Sequence, residues 1–196
     1  MGDVAPLILF VAVATLSPGG ATTLVTASGA QFGLRRSIPL IAGIVVGLGS
    51  IAVAAAMGLE SLVAAAPGLQ LLLKAVGSAY LAWLAWRIAT GGAPSSRPAD
   101  ARPIGFAGGL LKIWFNPKGW AVTFAAAASF GSLVATPSGL ALVLGGAFVI
   151  FGALSLSTWC TVGTALARML TTDLQWRFVN AALGILLLAS IAPMWI

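Results

Sequence analysis

Apolar residues run along this chain in six long stretches, at about 4–28, 38–59, 68–90, 104–130, 139–169 and 174–195. Each matches or exceeds the roughly 20 helical residues that cross a hydrocarbon layer about 30 Å thick. The segments between them, at 31–37, 60–67, 91–103, 131–138 and 170–173, collect Gly, Pro, Ser and charge, the residues of turns and loops. The pattern predicts an all-α integral membrane protein with six transmembrane helices in a single domain covering 1–196. Only Asp3 carries charge ahead of the first apolar run, so a positive signal-peptide n-region is absent and that run reads as a retained span.

Composition narrows the chemistry. The chain is 60% hydrophobic and 7% charged, with a mean hydropathy of +1.06, far from the soluble norm of about 25% charged. It holds no His, one Cys (Cys160) and four acids (Asp3, Glu60, Asp100, Asp173). A metal centre or carboxylate pair is not expected from that set, nor is a cofactor. The six spans leave no room for a soluble ATP-hydrolysing domain, and no phosphate-cradling Gly-Lys-Ser/Thr loop occurs. An enzyme would have to work from Lys118 and hydroxyls alone, a poor set of acids, bases and nucleophiles. The net charge of +6 is scattered among apolar runs, which argues against a nucleic-acid partner.

The cations instead act as topology signals. Arg35, Arg36, Arg87, Arg97, Arg102, Arg168 and Arg177 all flank the loops after spans one, three and five, and the opposite loops hold no Lys or Arg. Cytoplasmic loops are enriched in these residues, so both termini are expected outside a plasma or inner membrane. Trp83, Trp86, Trp176 and Trp195 stand where an interfacial aromatic belt anchors to lipid.

Two spans are broken. Ser17-Pro18-Gly19-Gly20 interrupts span one and Asn116-Pro117-Lys118-Gly119 interrupts span four, at similar depths. Pro removes a backbone donor, so a break at mid-membrane must be buried in protein or line a cavity. The prolines are 99 residues apart, and the sequences following the two breaks align weakly. Three spans per half make the halves, about 1–95 and 104–196, an expected inverted repeat, and paired breaks in such halves mark a transporter's midplane site.

At these residues the chain resembles the lysine exporter (LysE/RhtB) family. Pro18-Gly19-Gly20 corresponds to the family's Pro-Gly-Pro, with the second Pro replaced. Gly29, Gly33, Gly43 and Gly47 match its spaced glycines, and Gly77-Ser78-Ala79-Tyr80-Leu81 its third span. Asn116-Pro117-Lys118 matches its Asn-Pro-Lys signature. The resemblance covers nearly the whole chain and implies a plasma-membrane exporter of amino acids or close derivatives, driven by the proton-motive force. Gly20 in place of Pro and Gly119-Trp120 after the signature depart from the family pattern and bear on substrate identity.

A zwitterion at the midplane needs oriented partners, because a bare charge in a low-dielectric site is costly. Half-helices starting at the breaks point N–H groups at a carboxylate, and half-helices ending there offer carbonyls to an ammonium. Ser17, Thr22, Thr23 and Asn116 add polar side chains. Lys118, a charge within an apolar span, is by default a functional candidate: it pairs a substrate carboxylate or takes up a proton during transport, the structural alternative being that it snorkels or clamps the carbonyls freed by the breaks. Lys112 and Lys74 lie nearer span ends and are expected to snorkel. Trp114, Phe115 and Trp120 bracket the second break as pathway wall or core. Ser155, Ser157, Thr158, Thr161 and Asn180 are polar at membrane depth. The expected partners are a small-molecule substrate and the bilayer. The small-residue pairs Gly29/Gly33 and Gly43/Gly47 would also suit packing faces, in a homo-oligomer or in a non-transporting scaffold subunit. Export of an inorganic ion is a further alternative, which the lack of His and of clustered carboxylates disfavours.

Overall fold

Proline sets where several helices begin. In a computed structural model, which describes residues 4–59, 67–91, 102–189 and 191–192, Pro67, Pro117 and Pro137 open helices and Pro6 lies in a first turn. A missing N–H costs nothing there, since first-turn donors have no intrahelical partner. The helices are α1 (Ala5–Leu16), α2 (Gly20–Ala54), α3 (Pro67–Ala89), α4 (Phe106–Trp114), α5 (Pro117–Phe130), α6 (Pro137–Met169) and α7 (Asp173–Ala189). A π-helical turn, Ala55–Leu59, ends α2, and a 3₁₀ turn, Gly131–Leu133, follows α5. The described residues contain no strand. Arg97, Asp100, Trp195 and the segments 60–66 and 92–101 lie outside the described residues, as do the side chains of Lys74 and Tyr80.

The all-helical expectation holds, and the breaks fall where Pro and Gly put them: α1 gives way to α2 at Ser17–Gly19, and α4 to α5 at Phe115–Asn116. One separator is corrected. Residues 31–37 form no loop; the chain is helical on both sides of Gly33, the lone interruption, at φ 75° and ψ 170°. In a straight helix Ser28 and Ser37 would stand about 13.5 Å apart along the axis. Their hydroxyls meet at 2.7 Å. The helix therefore folds back at Gly33 into two arms, 20–32 and 34–54, and a single glycine does the work of a loop, because that backbone region is open to little else.

Both arms pack on α6. Leu40, Ile44, Leu48 and Ile51 join Leu140, Leu144, Phe148 and Leu156 in the principal buried cluster. Glycine brings the backbones together: a Cβ on Gly29 would lie 2.1 Å from the Cys160 carbonyl oxygen, and one on Gly163 would lie 2.0 Å from that of Thr26. Gly43 stands equally close to the Phe106 carbonyl, and a Cβ on Gly47 would strike Ile113. Gly29, Gly43 and Gly47 thus serve close packing within the chain, with Gly33 as the turn. A smaller cluster joins α3 to α7 through Ala85 and Leu187. Outward, α1, α6 and α7 present Leu9, Val13, Leu142, Ile150, Leu154, Phe178 and Ile185, a surface suited to lipid and not to water.

Candidate functional site

The end of α1 is the place to begin, because a helix that stops inside protein leaves four carbonyls to be satisfied. Ala14 O takes the Ser17 hydroxyl at 3.0 Å. Thr15 O accepts from Ser155 Oγ at 2.7 Å, and Leu16 O from the Trp159 indole N–H at 3.1 Å. Ser17 O and Pro18 O both accept from Lys118 Nζ, at 2.8 and 2.9 Å. The same ammonium reaches Ser17 Oγ at 2.7 Å, so all three of its protons are used. α6 and α5 together cap the broken helix.

Lys118 thus crosses from the second break to the first. It is the second residue of α5, where the helix's positive end disfavours a cation, and it delivers its charge to the negative end of α1, which favours one. Asn116 fixes the start of α5 by accepting Lys118 N–H on Oδ1 at 3.1 Å. Gly19 makes room for the stem: a Cβ there would lie 2.9 Å from Lys118 Cδ. Across from it, α2 starts on an interlocked cap. Gly19 N–H donates to Thr22 Oγ1 at 2.8 Å, and the Thr22 and Thr23 hydroxyls both return to Gly19 O. The N–H groups of Gly20, Ala21 and Thr22 then open α2 with no intrahelical acceptor.

A cavity of about 50 Å³ lies between the breaks, lined by Ser17, Gly19, Gly20, Ala21, Thr22, Asn116, Lys118 and Gly119 with apolar residues of α2, α4 and α6. That is space for a few waters. An amino acid needs more, so the space between the breaks is constricted in this conformation. Its electrostatics are positive: two helix N-termini and one ammonium converge, while the negative end of α1 is already engaged.

Of the residues expected at the site, Pro18, Thr23, Pro117 and Trp120 do not line this cavity. Pro18 and Pro117 make the breaks, and Pro18 contributes its carbonyl to Lys118. Trp120 serves the second break: its indole N–H donates to Trp114 O at 2.7 Å, and its ring meets Trp114 edge-on at 5.2 Å and Phe124 at 5.4 Å. Trp114 in turn donates to Ser50 Oγ at 3.1 Å. Carbonyls of the kind expected to await a substrate ammonium are therefore engaged within the chain: Ser17 O and Pro18 O by Lys118 at the first break, and Trp114 O by Trp120 at the second. Trp159 was not singled out by sequence; its signal was a donor four residues after Ser155, on the same helical face of span five. Trp176, expected to anchor in lipid, is 7% exposed and faces inward, whereas Trp83 and Trp86 are 51% and 70% exposed. Thr158 and Thr161 bond carbonyls of their own helix. Asn180 instead ties α7 to the end of α3 through Gly91 O at 2.7 Å.

The arginine-bearing side of the fold holds a second, larger space of about 420 Å³ between the first arm of α2 and α3, α4 and α7, where Thr23 contributes to the wall. A narrow space of about 10 Å³ shares walls with both cavities.

Outward apolar faces, two helix breaks locked to each other and a small positive cavity between them fit a membrane protein of the translocator class. The chain belongs to the LysE type translocator family, whose model matches residues 12–191. Among curated proteins it is similar to the cysteine/O-acetylserine efflux protein of Salmonella typhimurium, 35% identical over 48% of each chain. The same-named proteins of Klebsiella pneumoniae and Escherichia coli K12 are each 31% identical, over 59% of this chain and 58% of the relative, and over 54% of each, respectively. The chain spans about half the length of the curated relatives it matches. No solved structure matches.

Proposed function

We propose that this chain is a secondary active exporter of amino acids or closely related small metabolites across the plasma membrane, driven by the proton-motive force, with both termini outside. The observation that carries the reading is Lys118, whose ammonium spans the two breaks beside a cavity walled by the open N–H groups of α2. A substrate carboxylate entering there meets positive charge from three directions. For the cavity to admit it, the ammonium must leave the Ser17 and Pro18 carbonyls and turn toward the carboxylate. The freed carbonyls then become acceptors for the substrate's own ammonium. Lys118 is in this account both latch and ligand, exchanging one set of partners for another as the substrate enters and leaves.

The meeting of the breaks also supports an inverted repeat of spans one to three on spans four to six, since such transporters place broken helices face to face at the midplane. The relatives' names, cysteine and O-acetylserine efflux, make those two amino acids the first substrates to test. Inside-out vesicles carrying the protein should accumulate labelled O-acetylserine under an imposed proton gradient, and the accumulation should collapse with an uncoupler. Accumulation that survives the uncoupler would overturn the coupling, and no accumulation of any neutral, hydroxylated or basic amino acid would overturn the export reading.

A further inference from the structure

The 420 Å³ space falls within the ordinary range of small-molecule clefts, about 300–1,000 Å³. Its wall contains three cations, Arg87, Arg102 and Lys112, together with Trp83, Trp176 and Asn180, and none of its lining residues among those described is acidic. Arg87 lies over the Trp83 ring at 5.2 Å. The Lys112 side chain has no hydrogen bond or ion pair among the described residues, although it is only partly exposed and sits in the last turn of α4. It is also the one charged residue that lines both the large space and the 10 Å³ constriction, with Leu24 and Leu84 beside it in both. Beyond the constriction, Gly20, Ala21, Ile44, Ile113 and Asn116 are shared with the cavity at the breaks. Vestibule, constriction and the cavity at the breaks therefore adjoin through shared walls, and Lys112 stands at the narrow point between them.

We propose that this vestibule is the cytoplasmic entry for substrate and that Lys112 is a specificity-determining residue: it captures the carboxylate of an arriving amino acid and rejects molecules with a second cationic group. The proposal rests on the export reading above for its substrate. A half-buried ammonium without a partner is an unsatisfied donor set that an incoming carboxylate completes, with charge-assisted bonds roughly twice as strong as neutral ones. Arg87 and Arg102 raise the local concentration of anions at the mouth, as clefts lined by one sign of charge do. From Lys112 the carboxylate passes through the constriction toward the N–H groups of α2 and Lys118. Neutral and acidic amino acids and O-acylated derivatives are admitted; lysine and arginine, which bring net positive charge, are not.

The test is a titration of the detergent-purified protein, followed by tryptophan fluorescence because Trp83 and Trp176 line the vestibule. N-acetylglycine, a carboxylate without an ammonium, serves as the bare anion probe, beside O-acetylserine and lysine. Both carboxylate probes should saturate, with lysine at least tenfold weaker than O-acetylserine. Lys112→Met should shift the N-acetylglycine midpoint upward at least tenfold, while Lys112→Arg stays within threefold of the parent. Arg102→Gln, an independent change at the wall, should shift it in the same direction by a smaller factor. In inside-out vesicles Lys112→Met should raise KM for O-acetylserine and leave kcat within twofold. An unchanged midpoint in Lys112→Met, equal binding of lysine, or no saturable response of the parent protein to either carboxylate overturns the proposal. Vesicles that move no amino acid, with an anion midpoint that still depends on Lys112, would overturn the export reading and leave the vestibule standing.

Discussion

Lys118 carries two separable duties, and substitutions can pull them apart. Lys118→Met keeps the stem and removes the charge, leaving Ser17 O and Pro18 O buried without a donor at a cost of about 1–3 kcal/mol each. Transport should be abolished and the thermal unfolding midpoint lowered. Gly19→Ala is the more informative change. Its Cβ would press on Lys118 Cδ from 2.9 Å, and Gly19 at φ −176° has a backbone that alanine adopts freely. The charge remains but its stem is displaced. Export should fall at least tenfold, with a smaller loss of stability than in Lys118→Met. Normal export by well-folded Lys118→Met would remove this lysine from the mechanism; normal export by Gly19→Ala would mean that its position at the first break is unimportant.

The elements show how much was legible from composition and spacing. Both breaks, the apolar helices and a Lys118 engaged with carbonyls freed at the first break follow from a short list of residues that a helix in lipid does not tolerate without cause: Pro, Gly and charge. The identity of the groups that repair a break does not follow, because it depends on which helices become neighbours. Ser155 and Trp159 cap α1 from 140 and 143 residues away, and nothing local to span five announces that partner. The reversal at Gly33 is hidden for a related reason: among the six other loop-like residues of 31–37 a one-residue turn has the same sequence pattern as a flexible separator. Two glycines of α2 test the distinction between conformation and space. A Cβ at Gly33 meets nothing within 4 Å, so Gly33→Ala should cost only the backbone strain of its positive φ, about 1–3 kcal/mol. Gly29→Ala drives a methyl into the Cys160 carbonyl and must part α2 from α6, so it should lower the unfolding midpoint further. The reverse order would mean that the α2–α6 contact is looser than the backbone separation implies.

At the level of the whole molecule, charge and shape agree. The Gly33 reversal, the end of α3, the start of α4 and the start of α7 surround one mouth, since Gln31, Arg87, Arg102 and Trp176 all line the vestibule. The described arginines thus gather at the vestibule's end, and Lys- and Arg-rich ends face the cytoplasm. Orientation can be read with two cysteines. Ser138, at the start of α6, and Thr172, just before α7, are both exposed and lie at opposite ends of the fold, while the native Cys160 is buried and gives little background. In intact cells an impermeant maleimide should label Ser138→Cys and spare Thr172→Cys until the membrane is opened. The reverse pattern would put the vestibule outside, and it would then be an exit rather than an entry. Sidedness makes a kinetic prediction as well. If Lys112 guards the cytoplasmic mouth, Lys112→Met should raise KM for substrate offered from the cytoplasmic face and leave KM from the outer face within twofold, because a residue that acts only on entry from one side does not meet substrate arriving from the other. Equal increases from both faces would mean that Lys112 acts on the midplane site itself, through α4, and not on entry.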